Sequence, residues 1–236
     1  TNGADIIRGD AVANKIWGGR GEDTIYGGDG NDIVAGGPAN GGEDYTNYAN
    51  DINNTDKAVL YGEAGDDILV GTRGNDTLVA GTGKDTIYTG VGTDTIVIRT
   101  GDGGSTIADA DVIKDFTDGT DVIGLATGSG ALAYTDLTIA QGSGSNASHV
   151  LVSKTSSSEY IAMIENINVS NVNYYDFVSM ATGSQTLTGT TGDDVLLGAS
   201  GVDTITTNTG TDVVLGYGGD DAITINGSGS KTIDGG

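Results

Sequence analysis

Aspartate recurs in this chain at a nine-residue spacing, with glycines at fixed distances before it and an aliphatic residue two places after it. The unit reads Gly-Gly-x-Gly-x-Asp-x-(Ile/Leu/Val)-x and is cleanest in Gly18 to Tyr26 and Gly27 to Ala35. Position 6 is held by Asp5, Asp23, Asp32, Asp67, Asp76, Asp85, Asp94, Asp194, Asp203, Asp212 and Asp221, and by Asn14 in a degenerate unit. The chemistry on offer is hard-oxygen ligation. Calcium takes roughly six to eight oxygens and mixes carboxylates with backbone carbonyls. Glycine supplies the carbonyls, because it accepts positive φ and puts no Cβ between backbone and ion. The candidate glycines are Gly19, Gly21, Gly28, Gly30, Gly65, Gly74, Gly81, Gly83, Gly90, Gly92, Gly192, Gly201, Gly210 and Gly219, at positions 2 and 4.

Other chemistries find little material. His149 is the only histidine, in a Ser/Asn-rich link, and there is no cysteine. A zinc set cannot be built from one imidazole and no thiol. HExxH and GxSxG are absent, so no catalytic centre is expected. Arg8-Gly9-Asp10 spells an adhesive tripeptide, but the nonamer phase makes Arg8 an outward strand residue and Gly9 the start of a turn.

The elements that must hold these turns follow from position 8. Ile7, Ile16, Ile25, Val34, Leu60, Leu69, Leu78, Ile87 and Ile96 fill it in the first half, and Leu187, Leu196, Ile205, Val214, Ile223 and Ile233 later. All are aliphatic and most are β-branched, as short strands prefer. Six residues of turn and three of strand, with the middle side chain inward, make half a coil. Two nonamers complete it, so repeats n and n+2 stack about 4.8 Å apart on one side. The expected fold is all-β: a calcium-bound parallel β-roll (β-helix), an intervening antiparallel β cap, and a second short β-roll. Stacking pairs Asp5 with Asp23, Asp76 with Asp94, Asp194 with Asp212 and Asp203 with Asp221. Asn14, Asp32, Asp67 and Asp85 line the other side.

Residues 1–97 read as the first roll. A segment inserted at about 38–57 projects from one turn, and Glu43, Asp44 or Asp51 in it could hold an extra ion. The unit carrying the insertion has Ala58 at position 6. Residues 98–186 lose the nonamer and are expected to form a β-sandwich-like capping segment. Residues 187–236 resume the repeat and stop mid-unit. The last unit puts Lys231 at position 6, where an ammonium replaces the ion and closes the row.

The chain has 236 residues, a net charge of −23 and 33 acidic residues, of which only Glu22, Glu43, Glu63, Glu159 and Glu165 are glutamate. A generic acidic surface would mix the two types. The charge excludes nucleic acid as partner, since that needs basic patches. No apolar run is long enough for a membrane span.

On these nonamers the chain resembles the RTX (repeats-in-toxin) family of secreted calcium-binding proteins. The run TDTIVI at Thr93 to Ile98, then DVIKDF, DVIGL and NYYDFV, is similar in order to the region after the repeats in serralysin-type proteases and alginate epimerases. That resemblance adds Asp111, Asp115, Asp118 and Asp121 as candidate ligands. It also implies type I secretion, folding on calcium outside the cell, and an extracellular or cell-surface location. About six to eight Ca²⁺ ions are expected from the paired aspartates. The first reading is a structural module of a secreted or cell-surface bacterial protein, of adhesin, surface-layer or filament type. It carries possible self-association end to end through open roll ends. A second reading is the non-catalytic C-terminal secretion and folding module of an exoenzyme. A weaker one is carbohydrate or ice binding by the outward threonines Thr77, Thr86 and Thr95.

Overall fold

The computed structural model describes residues 2–38 and 55–236, so the candidate ion ligands Glu43, Asp44 and Asp51 lie outside the described residues. Strands are numbered in chain order. One sheet runs β1 (Ile6–Arg8), β3 (Thr24–Asp29), β5 (Val59–Ala64), β7 (Thr77–Thr82), β9 (Thr95–Ile98), β11 (Val122–Leu125) and β15 (Phe177–Ser179). The facing sheet runs β2 (Lys15–Trp17), β4 (Ile33–Ala35), β6 (Ile68–Val70), β8 (Thr86–Tyr88), β10 (Asp111–Ile113), β14 (Glu159–Ile164), β13 (Val150–Lys154) and β12 (Leu137–Gln141). From β1 to β11, odd and even strands alternate between the sheets, which is the β-roll winding expected from two nonamers per coil.

Parallel register stacks the inward side chains in columns. Ile25, Leu60, Leu78, Ile96, Ile123 and Phe177 form one. Val34, Leu69, Ile87, Ile113 and Ile164 form the other. All are essentially fully buried. Each three-residue strand contributes one such side chain, so a single coil has almost no core. Burial accumulates only by stacking. The Asp67-to-Asp85 step spans 18 residues and the Asp32-to-Asp67 step spans 35. The inserted segment therefore leaves the register of the coil intact.

The middle segment, expected as a β-sandwich-like antiparallel cap, is antiparallel only in part. β10, β11, β14 and β15 extend the roll's own sheets in parallel. Antiparallel pairing joins β12, β13 and β14, with one isolated antiparallel bridge from Gly104 to Tyr160. The physical reason is local. Asp111-Val112-Ile113 and Asp121-Val122-Ile123 repeat the Asp-x-aliphatic end of a nonamer, so the sheets accept them although the glycine turn is gone.

The second roll has β16 (Thr186–Thr188), β18 (Thr204–Thr206) and β20 (Ala222–Thr224) in one sheet. β17 (Val195–Ala199), β19 (Asp212–Tyr217) and β21 (Lys231–Asp234) form the other. Leu197 and Leu215 join the same apolar core as Phe177. The Tyr217 hydroxyl donates to the Phe177 carbonyl, and Tyr134 meets the Phe177 ring edge-on at 5.0 Å between centroids.

Candidate metal centre

The position-6 carboxylates first serve the backbone. In all but Asp5 and Asp194, Oδ1 accepts the N–H of the position-6 residue one coil earlier. Asp5 N–H donates to Asp23 at 2.9 Å, Asn14 to Asp32 at 2.7 Å, Asp32 to Asp67 at 2.7 Å, Asp67 to Asp85 at 2.7 Å and Asp76 to Asp94 at 2.8 Å. In the second roll Asp194 donates to Asp212 at 3.1 Å and Asp203 to Asp221 at 2.9 Å. The pairs expected from the spacing are thus brought together. Ala58, which has no carboxylate, donates to Asp76 at 2.6 Å but offers no side-chain acceptor to the coil before it, so the ladder has a gap between Asp23 and Ala58.

The ladder runs further than the nonamers do. Asp85 N–H donates to Asp111 at 2.9 Å and Asp94 N–H to Asp121 at 3.1 Å. Both new carboxylates are 2% exposed, so they are buried rungs of the ladder. Asp115 accepts from the Thr89 and Gly90 N–H groups at 2.8 and 3.1 Å, bracing that turn. Asp118 is exposed and joins no rung.

The second oxygen separates the turns. Among the described residues, Oδ2 of Asp23, Asp32, Asp67, Asp85, Asp94 and Asp221 is buried with no hydrogen-bond donor. An unsatisfied buried carboxylate oxygen is costly, so it asks for a cation. Beside Asp23, Asp32, Asp67 and Asp221 the space is kept by glycine at position 1 (Gly18, Gly27, Gly62 and Gly216), whereas Asp85 and Asp94 have Ala80 and Thr89 there. A Cβ on Gly27 would stand 2.5 Å from Asp32 Oδ2 and 2.7 Å from the Gly62 carbonyl oxygen. One on Gly216 would stand 2.3 Å from Asp221 Oδ2 and 2.7 Å from the Gly235 oxygen. A carboxylate and a carbonyl from the next coil on that side therefore converge wherever glycine leaves room. No three acidic or imidazole side chains cluster among the described residues. An ion here must draw most of its shell from carbonyls, which suits calcium and not zinc.

The glycine conformations agree. Gly19, Gly21, Gly28, Gly30, Gly65, Gly81, Gly83, Gly90, Gly92, Gly210 and Gly219 have φ between 97° and 145°, as candidate ligand turns require. Gly74, Gly192 and Gly201 lie outside that left-handed region. Their turns are built differently: the N–H groups of Thr72, Thr190 and Ala199 donate to Oδ2 of Asp76, Asp194 and Asp203. In the degenerate unit Asp10 N–H donates to Asn14 Oδ1 at 2.8 Å. Lys231 Nζ occupies the remaining turn, 2.9 Å from Asp212 Oδ2 and 2.6 Å from the Gly210 carbonyl, as expected of an ammonium in place of an ion.

Burial raises the carboxyl pKa values of the central rungs of the first roll. Asp67 and Asp85 reach about 7 and Asp94 about 8. Desolvation is the main cause, the accepted backbone N–H opposes it, and neighbouring carboxylates add to it. Asp76, which accepts the Thr72 N–H and hydroxyl as well, rises only to about 6. Without a cation Asp67, Asp85 and Asp94 keep protons toward neutrality.

Comparison with known sequences agrees with the geometry. The family described as RTX calcium-binding nonapeptide repeat (4 copies) matches residues 1–34, 8–44, 61–96, 181–214 and 197–224. No curated protein matches the chain. A similar solved structure is the solution structure of the AlgE6R3 subunit from the Azotobacter vinelandii mannuronan C5-epimerase. It is 20% identical, with a TM-score of 0.28 over 72% of this chain and 80% of that one. The fold assignment rests on the strand pairing, not on that loose superposition.

Proposed function

The chain belongs to the family of RTX calcium-binding nonapeptide repeat proteins, and from that premise we propose that it is a non-catalytic, calcium-folded structural module of a secreted or cell-surface protein. The observation that carries this reading is the row of buried carboxylate oxygens without donors. They make the packed roll unfavourable until a cation arrives. Calcium binding free energy then becomes folding free energy. A low-calcium compartment would keep the chain unfolded, helped by the self-repulsion of a −23 charge, and calcium outside would fold it.

A structural role fits the remaining side chains. The only histidine, His149, uses its Nδ1 to accept the Asn166 N–H, in a surface turn. The outward column of the first sheet runs Thr24, Val59, Thr77, Thr95 and Val122, so it is no continuous threonine array of the kind an ice or sugar surface would use. No helix among the described residues is long and apolar enough to cross a membrane.

Sedimentation velocity through a calcium titration, from chelator to about 10 mM, tests the reading over the range of extracellular calcium modules. Compaction with calcium is expected. Growth into larger species after compaction would make end-to-end assembly the module's role. Compaction to a monomer would make it a folding appendage to other domains. A chain that ignores calcium would overturn the proposal.

A further inference from the structure

The turns are of two kinds, and the residue at position 2 of each nonamer separates them. Where position 2 has a left-handed φ, the Asp Oδ2 of that turn has no donor. This holds for Gly19, Gly28, Gly81 and Gly90 with Asp23, Asp32, Asp85 and Asp94. It also holds for two non-glycine residues, Glu63 at 79° with Asp67 and Tyr217 at 65° with Asp221. Bulky L-residues resist that conformation, so these two turns are held open against local preference. Where position 2 is Thr72, Thr190 or Ala199, its N–H lies on Oδ2 and the turn is satisfied without metal. Asp212 is satisfied by Lys231, whose side chain is 7% exposed.

Resting on the calcium reading above, we propose that the ion load is uneven. Calcium enters the open turns of Asp23, Asp32, Asp67, Asp85 and Asp94, and in the second roll only that of Asp221. The turns of Asp76, Asp194 and Asp203 close on their own backbone, and Asp212 closes on Lys231. Asp32, Asp67 and Asp85 are consecutive rungs on one edge of the first roll, so that edge forms the main calcium row. The opposite edge is interrupted at Ala58 and Asp76, and the second roll is largely held by internal donors. The first roll therefore depends on calcium far more than the second.

The test is the number of calcium ions bound by the intact chain at saturation, read by native mass spectrometry, with circular dichroism to confirm folding. Asp67→Asn is expected to bind fewer ions, Asp203→Asn the same number, and Lys231→Met more, because Asp212 Oδ2 and the Gly210 carbonyl are freed. Equal losses in Asp67→Asn and Asp203→Asn, or no gain in Lys231→Met, would overturn the proposal. Amide chemical shifts of the unsubstituted chain, titrated with calcium, decide the matter if a variant fails to fold. Near stoichiometric calcium the Asp32 and Asp67 amides, which donate to the carboxylates of open turns, should move strongly, and the Thr190 and Asp194 amides, which donate to Asp194 and Asp212 in closed turns, should move little. Equal movement in both sets would overturn the inference. No calcium bound by the unsubstituted chain would remove the functional reading itself, a result distinct from evenly spread binding.

Discussion

The ammonium of Lys231 lies 2.9 Å from Asp212 Oδ2, in the position where the other coils leave a carboxylate oxygen bare or cap it with an N–H. Both side chains are buried, and strand register places the two residues opposite each other in β19 and β21. A fixed cation thus ends a row of sites that otherwise depends on a dissolved one. Removing one partner of a buried pair strands the other charge, at a cost of about 3–5 kcal/mol. Lys231→Met should therefore lower the thermal midpoint of the chain at low calcium, and added calcium should recover much of the loss. A melting curve unaffected by the substitution would contradict this.

The pH dependence of the metal-free chain has a defined sign. Asp67, Asp85 and Asp94 have folded pKa values of about 7, 7 and 8, above the ordinary carboxyl value near 4. The folded state binds more protons than the unfolded state across that window. The stability these groups provide is full below pH about 4 and is lost as pH rises toward 8. The calcium-free chain should be more compact at pH 5 than at pH 8, by small-angle scattering or circular dichroism. Protons and calcium compete for the same oxygens, so calcium affinity should rise over that interval. A metal-free chain that gains structure toward pH 8 would refute the assignment.

Position-1 glycines should be sensitive in a way that other glycines are not. Gly27 has no left-handed φ, yet its Cβ would stand 2.5 Å from Asp32 Oδ2. Gly27→Ala should destabilise the calcium-loaded chain by about 1–3 kcal/mol through overpacking and weaken binding. Gly183→Ala, where nothing lies within 4 Å, should be near neutral. Denaturant midpoints at saturating calcium distinguish the two.

Phe177 couples the two rolls. It is fully buried at the end of the first column, touches Tyr134, and its carbonyl accepts the Tyr217 hydroxyl. Phe177→Ala should cost about 3–5 kcal/mol. Limited proteolysis should then release the segment after residue 186 sooner than the first roll degrades. Unchanged cleavage order would show that the rolls do not depend on this contact.

Much of this structure was determined by the sequence alone, because a parallel coil returns every equivalent residue to the same environment. Nine-residue phase is enough to place Ile25 over Leu60 and Asp67 beside Asp85 across unrelated intervening residues. The substitution of Lys231 for calcium was legible for the same reason. Tertiary structure decided what phase cannot encode. Ala162 and Phe177 stack on Asp111 and Ile123 from about 50 residues away, through pairings that no repeat announces. Asp111 and Asp121 become rungs after steps of 26 and 27 residues, where the period is broken. Whether a turn is open or closed depends on one backbone dihedral. Glycine at position 2 hints at it, but Glu63 and Tyr217 adopt the open form without being glycine. Their φ is imposed by the stacked coils around them, which local sequence does not contain.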